Sequence, residues 1–463
     1  MKSQHQRFRN IVQGVACNLF AFALRLAARP ASAKLSFVHQ QHGSICRATS
    51  ALLQSRYGVT RMLANINLID RAWRYFAVFP CPDHWRETLG DSDNQYRRPV
   101  ACLHFKDQVI ETFVGAVASM DGIRFGAVRV LLNASWHGAH MTHNLAIAPW
   151  HGELGRGYAL VGGQHNLDAV RPGEKPNNGV WLASWLPHER KATGASEVVG
   201  EAQWLFNGSH PGCVERRWRA EGRYLYPGSE NTSRACEFDG RLSLVFFRQE
   251  WLLFARANPM ARGRRHVQVT RSPDAQHSWS PFRQVRFHGM HNTDHDVYFF
   301  LVQVNPALPA TLIAVFPLFH RAGGEADGCT GISLSLDGVE WSTPTPLSLC
   351  SVDGVDLVDR RRGRVLCFPA GLAPSADANH LLLYVHESVP MEDKYPRGAP
   401  LPWGQHARQP APRLVVHRIP NGLLRDWTRV AFASLSKGRA RARARGTSLP
   451  DASRMQRAVG GLS

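Results

Sequence analysis

Apolar residues in this chain fall in short runs separated by turn-forming residues, the pattern of strands rather than of long helices. Leu242 to Phe247 and Trp251 to Ala257 are two such runs, β-branched or aromatic, joined by Arg248-Gln249-Glu250 as a hairpin. Asn258-Pro259 then breaks the chain, and His266 to Thr270 alternates polar with apolar residues as a third strand. This antiparallel meander ends on Ser272-x-Asp274 and Trp279. A sheet this small cannot bury a face alone, so copies of the unit are expected elsewhere in the chain.

Copies are present. Leu145 to Ala148, Tyr158 to Val161 and Gly179 to Ala183 repeat the three-strand order, with a Gly-rich turn between the first two. Asp296 to Val302, Thr311 to Leu318 and Gly331 to Leu334 repeat it again and end in Ser335-Leu336-Asp337-Gly338-Val339-Glu340-Trp341-Ser342. A further unit runs from Val355 to Val358 through Arg364 to Phe368 and Leu381 to Val385 to Arg413 to His417, with Trp427 closing it. Val100 to Phe105, Val109 to Val117 and Ile123 to Leu132 are strand candidates ahead of these. Repeated antiparallel sheets ending in Ser/Asp-turn-Trp predict an all-β protein, a β-propeller of four-stranded blades.

The blade ends resemble known families. Ser272 to Trp279 is similar to the sialidase Asp-box, Ser-x-Asp-x-Gly-x-Thr-Trp, without its glycine. Ser335 to Trp341 is similar to the Ser-x-Asp-Gly-x-x-Trp blade ends of the arabinanase, levansucrase and invertase group. The resemblance covers about residues 95 to 430 and implies a five-bladed propeller with glycosidase activity. The sialidase Arg-Ile-Pro is not found near the first blade, its one occurrence being Arg418-Ile419-Pro420 far along the chain, and the invertase Asn-Asp-Pro-Asn-Gly is missing from the sequence, so no catalytic residue carries over by motif.

Position supplies the candidates instead. The first residues of each innermost strand converge at one mouth of a propeller channel. Glycoside hydrolysis needs two carboxyl groups, one as acid and one as nucleophile or base. Acids at these positions are Glu237 and Asp239, Asp294 and Asp296, and Asp353 and Asp356; Glu237, Asp239 and Asp296 are the catalytic candidates. Residues i and i+2 on a strand face the same way about 7 Å apart, which favours Glu237 with Asp239. Asp239-Gly240 and Asp353-Gly354 are also ordinary turn pairs. His143 and Asn144 are candidate sugar ligands, and Arg256, in an apolar strand, needs a carboxylate partner or an anionic ligand. Trp136, Trp150 and Trp181 could stack on sugar faces or serve as core.

Other chemistries find less support. His137-x-x-His140-x-x-His143 and His288-x-x-His291-x-x-x-His295 lack zinc-site spacing, and no metal or cofactor is expected. No Gly-x-Ser-x-Gly elbow or phosphate-binding Gly-Lys-Ser/Thr loop occurs, against a serine hydrolase or an NTPase.

Composition changes the picture mainly through charge. With 463 residues, 44% of them hydrophobic, the chain can bury a large core, and it has no apolar run long enough for a membrane span. The net charge of +19 is a property of the ends. Residues 1 to 69 hold nine basic residues and no acid, and 421 to 463 hold nine basic against two acidic, which leaves +3 for the rest. A specific nucleic-acid partner is therefore not expected, and Lys437 to Arg445 reads as a solvated extension.

A basic start, the mostly apolar Ile11 to Leu24, and Ala31-Ser32-Ala33 resemble a secretory leader. An acid-free, Arg-containing start also fits an organellar transit peptide. Three sequons, at Asn133, Asn207 and Asn231, favour the secretory route, whereas nine singly spaced Cys define no disulfide framework. The expected organisation is a targeting segment over 1–33, a partly helical lead-in over 34–94 that includes a helix-like Ser50 to Ala77, the propeller over 95–430, and a basic disordered tail over 431–463. The expected partner is a carbohydrate.

Overall fold

A computed structural model describes residues 59–64, 73–82, 85, 99–107, 113–133, 145–152, 155–164, 179–186, 198–199, 203–207, 238, 241–257, 266–290, 295–297, 299–320, 327–347, 365–390 and 413–444. Among the described residues twenty-four strands make five sheets, antiparallel except where Arg286–Phe287 pairs with Glu340–Trp341, and one helix follows them.

After a leading strand β1 (Thr60–Leu63), blade 1 consists of β2 (Trp73–Phe79), β3 (Ala101–Asp107), β4 (Phe113–Ser119) and β5 (Arg129–Asn133) in that order. Blade 2 holds β6 (Ala146–Gly152), β7 (Gly155–Gln164), β8 (Gly179–Leu186), a short β9 (Val198–Val199) and β10 (Gln203–Asn207). Blade 3 holds β11 (Ser243–Phe247), β12 (Glu250–Ala257), β13 (His266–Ser272) and β14 (Arg283–Gln284). Blade 4 is built from β15 (Arg286–Phe287), β16 (His295–Val297), β17 (Leu301–Val304), β18 (Leu312–His320), β19 (Asp327–Ser335), β20 (Glu340–Trp341) and β21 (Thr345–Pro346). Blade 5 holds β22 (Val365–Pro374), β23 (His380–Pro390) and β24 (Arg413–Pro420), and its fourth strand is β1. Helix α1 (Asn421–Ala444) ends the described chain. The protein is a five-bladed β-propeller: the repeats predict the propeller, and the resemblance implies the five blades.

The first strands β2, β6, β11, β17 and β22 touch in sequence around a ring, and β22 returns to β2. Polar side chains tie neighbouring first strands together. Ser243 donates to the Val302 carbonyl and accepts from the Val302 amide (3.1 and 2.9 Å). Gln303 does the same for Leu372 (3.3 and 3.0 Å). Tyr384 of blade 5 donates to the Gly122 carbonyl of blade 1 at 2.8 Å, and burial keeps its phenol protonated.

Each gap between blades is a separate hydrophobic core. In β12, Trp251, Leu253 and Ala255 face blade 2, while Leu252 and Phe254 face blade 4. Both faces are buried, which is why the strand reads as a continuous apolar run instead of an alternating one. Trp185 packs with Phe79, Trp85 and Tyr158 between blades 1 and 2. Trp341 packs with Phe254 and Phe300 between blades 3 and 4. A Cys81–Cys102 disulfide joins the end of the first strand of blade 1 to its second strand.

The turn between third and fourth strands recurs in three blades. Ser272 Oγ donates to the Asp274 carboxylate at 2.8 Å and accepts from the Ala275 amide at 2.9 Å, while Asp274 Oδ1 accepts from the Gln276 and His277 amides. Ser335 and Asp337 make the same set with Gly338, Val339 and Glu340. So do Ser119 and Asp121 with Gly122, Ile123 and Arg124, a copy that the sequence comparison overlooked because no Trp follows it. The residue after the Asp takes positive φ in each: Gly122 (81°), Ala275 (63°) and Gly338 (77°). Ala275 thus occupies the glycine position in a left-handed conformation that glycine adopts more easily. The hairpin of blade 3 is a two-residue turn, with Arg248 and Gln249 both at positive φ (53° and 65°) and Glu250 already in β12.

Several expectations are corrected. The helix-like reading of Ser50 to Ala77 fails where the chain is described, since β1 and β2 lie there. An apolar run of that length fits a strand buried on both faces as well as a helix. The boundary at 95 divides blade 1 between β2 and β3. Asp296 to Val302 is not one strand: Phe299 at φ 51° breaks it into β16 and β17 and lays its ring against Phe368 of blade 5, 4.6 Å away. The tail expected to be disordered from 431 is helical to Ala444. Leu424, Trp427, Ala431 and Leu435 supply an apolar stripe that packs under blades 4 and 5.

Two outcomes follow. Removing residues 1–64 lowers stability by about 2–4 kcal/mol relative to removing 1–58, at about 1 kcal/mol net per lost ladder hydrogen bond; denaturant unfolding of the two truncations measures it. The four amide and hydroxyl donors around Asp274 hold its carboxyl down at about 2, below its ordinary 3.8. Its folded-state pKa is depressed, so its stabilisation is complete above about pH 4 and lost as pH falls through about 2. Asp274→Asn should therefore separate from the parent in acid-unfolding titrations at mildly acidic pH and converge with it near pH 2.

Candidate functional site

In every blade the first strand starts at the end where the chain arrives from the preceding blade, and this end is the mouth of the ring. The Ser-x-Asp turns and helix α1 lie at the opposite end, the base. Arg241 precedes β11, Arg256 lies near the end of β12 and His266 starts β13, so hairpin geometry brings all three to the mouth side of blade 3.

These three residues line one recess with Phe254, Ala255, Val267, Val297, Phe299 and Phe300. The recess lies between blades 3 and 4 and has room for about one water molecule. Arg241 and His266 are buried, at 6% and 1% exposure, and Arg256 is half-buried. The break at Phe299 falls at this recess, where Phe299 and Phe300 form part of its wall. His266 Nδ1 donates toward the Val267 carbonyl at 3.2 Å, and its ring meets Phe287 edge-on at 6.0 Å. Gln268 donates to the Arg256 carbonyl at 2.9 Å, fixing the backbone beneath the guanidinium.

The positive charge reaches beyond blade 3. His104 of β3 is buried, and burial first, then the charge of Arg241, push its pKa well below the ordinary imidazole value. It is held neutral, against the Phe79 ring at 5.8 Å. Two guanidiniums and an imidazole on one recess favour an anionic or hydroxyl-rich group and lower the pKa of any carboxyl beside them.

Of the sequence candidates, Arg256 is at this recess. Asp296 is placed by its backbone on β16, opposite Phe319 and next to Val297 of the recess wall. Glu237, Asp239, Asp294, Asp353, Asp356, His143, Asn144 and Trp136 lie outside the described residues. Phe238, between Glu237 and Asp239, is fully buried against Phe282 (5.9 Å). Its carbonyl passes so close to Gly163 of β7 that a Cβ there would come within 2.8 Å of the oxygen. Trp150 and Trp181 pack against inter-blade cores. Arg241 and His266 were missed by the sequence. One precedes an apolar run and the other opens an alternating strand, and neither carries a spacing that marks a site. Among the described residues no group of three or more His, Cys, Asp or Glu could hold a metal, and no helix is long and apolar enough to cross a membrane.

No family model matches the chain, and no curated protein matches it. Solved structures with a similar fold include an N-acetylgalactosamine deacetylase from F. plautii, at 12% identity and a TM-score of 0.42 over 79% of this chain and 94% of that one. The GH93 α-L-arabinofuranosidase of Fusarium graminearum is 10% identical, with a TM-score of 0.35 over 69% of this chain and 89% of that one. An endo-arabinase from Bacteroides thetaiotaomicron is 11% identical, with a TM-score of 0.35 over 69% and 88%. Likeness at this level carries nothing about activity.

Gly163→Ala forces either the 238 segment or β7 to move, at a cost of about 1–3 kcal/mol. Denaturant unfolding of the variant tests this, and an unchanged midpoint would show that the segment yields freely.

Proposed function

We propose that the protein is a carbohydrate-active enzyme, a glycoside hydrolase or glycosyl-transferring enzyme that works by paired carboxylates at the mouth of the propeller. The observation that supports this most is the convergence at the mouth. Arg241, Arg256 and His266 meet on one recess, Asp296 lies on the adjoining first strand, and Glu237 and Asp239 flank Phe238 just ahead of Arg241 in the sequence. Hydrolysis of a glycosidic bond needs one carboxyl that keeps its proton and another that is ionised. A guanidinium beside one carboxylate and apolar burial around another separate their pKa values in that sense. Glu237, Asp239 and Asp296 take the catalytic roles in this reading, with His143, Asn144 and Arg256 as sugar ligands and no metal or cofactor. The blade ends are of the sialidase Asp-box kind.

Secretion belongs to the same reading. The leader-like start, the three sequons and the Cys81–Cys102 disulfide all suit an oxidising, glycosylating route.

The small volume of the described recess favours a second reading, a catalytically silent propeller that binds a glycan or protein. Release of reducing sugar from a panel of aryl glycosides and polysaccharides separates the two. Under the enzyme reading Glu237→Gln, Asp239→Asn and Asp296→Asn are assayed singly, and at least two of the three lower turnover by about 10²–10⁴-fold with the thermal midpoint kept. A parent protein that binds glycans but cleaves none of the panel sinks it in favour of the binding propeller.

A further inference from the structure

The base of the molecule carries a concentration of arginine that the mouth chemistry does not use. Arg248 of the blade 3 hairpin, Arg271 of β13, Arg283 of β14, Arg286 of β15 and Arg439 of α1 gather where blades 3 and 4 meet the C-terminal half of the helix. Lys437, two residues before Arg439, adds an exposed ammonium on the same end of the helix. The carboxylates among these cations are Glu250, paired with Arg271 at 3.2 Å, Asp337, paired with Arg439, and Glu340, paired with Arg286 at 3.2 Å. Among the described residues five guanidiniums thus face three carboxylates.

Two of the arginines are left over. Arg248 spends one nitrogen on the Ala310 carbonyl at 3.0 Å and lies over the Phe247 ring at 4.9 Å, and no carboxylate pairs with it among the described residues. Arg283 is half-buried and has no ion pair among the described residues. Burial first, then the neighbouring arginines, lower the pKa of Arg283. For Arg248 burial is likewise the largest cause; the Asp337 carboxylate opposes it, and Arg439 and Arg271 act with it. Asp337 and Glu340 offset only part of this charge, and the excess of guanidinium favours an anion from outside the chain.

We infer that this basal patch binds an acidic polysaccharide chain bearing sulfate groups, at a site separate from the mouth. Guanidinium forks match the oxygens of sulfate, and an extended polyanion can engage several forks at once. The patch offers little to the other polyanions. Phe247 is buried beneath Arg248, and Phe246, the exposed aromatic next to it in sequence, lies against Trp251 on the other face of the sheet, so no ring stands among the arginines to stack on a base. The exposed residues in the described C-terminal half of α1 are Ala433, Ser434, Lys437 and Ala440, with no large apolar side chain to enter a bilayer. The inference does not depend on catalysis at the mouth.

The test is titration of the full chain with a short heparin oligosaccharide, alongside duplex DNA and phosphatidylserine vesicles. The triple variant Arg248→Gln, Arg283→Gln, Lys437→Gln should bind the oligosaccharide about tenfold or more weakly, with an affinity that depends less steeply on salt. Arg445→Gln, Arg454→Gln, Arg457→Gln removes the same charge from outside the described residues and should bind like the parent. Arg283→Gln alone should give a loss of about threefold, which keeps the test informative if the triple variant folds poorly. The inference falls if the oligosaccharide does not bind or if the 445–457 variant accounts for the loss. It also falls if the patch variants change DNA or vesicle binding more than oligosaccharide binding.

Discussion

Every blade of this protein has two apolar faces, and everything else follows from having to cover both. An open row of five such sheets would leave one face bare at each end. Closing the row into a ring removes both, and the five inter-blade cores are the result. The ring also brings five strand starts together at one end, so a mouth exists for purely mechanical reasons before any chemistry is placed in it. Ser243, Gln303 and Tyr384 hold adjoining blades with hydrogen bonds to backbone atoms, where a shift of one residue would break both the bond and the core behind it.

The two ends of the ring are built differently. The base is fixed by short turns in which a serine hydroxyl and an aspartate carboxylate satisfy amides that no strand partner reaches. Three blades use the same solution, and it tolerates Ala275 where the other two have glycine. The apolar stripe of α1 then packs against β19 and β24, the third strands of blades 4 and 5, and Trp427 donates to Thr345 at 3.1 Å. Near the other end of the helix Gly438 lets α1 approach the His288 ring, since a Cβ there would come within 2.5 Å of Nδ1.

Much of this architecture is legible in the sequence, for identifiable reasons. Doubly buried strands such as β12 are unmistakable apolar runs, and Ser-x-Asp-turn-Trp marks two blade ends directly. What escaped detection lacked a local signal. β1 looks like no strand because its partner lies at the other end of the chain. Phe299 breaks a run whose composition is uniformly strand-like, since the cause is the packing of its ring on Phe368. The helix was hidden by its own arginines, because the tail was read by composition and its apolar stripe was not weighed against them. Arg241 and His266 become a pair only when β11 and β13 are folded around β12. Arg256 could be singled out beforehand because a cation within an apolar strand demands an explanation.

The strand that closes blade 5 also orders events in time. β1 is made about 350 residues before β24, its strand partner among the described residues. At ordinary elongation rates that is a wait of roughly 20 to 70 s. For most of that wait blade 1 stands without the blade 5 strands that cover its Phe76, Leu103 and Phe105 side, so the nascent chain presents an unclosed apolar face until β22, β23 and β24 have emerged. A fold that is symmetrical in space is therefore strongly asymmetrical in its exposure to misassembly, and the burden falls on its first blade.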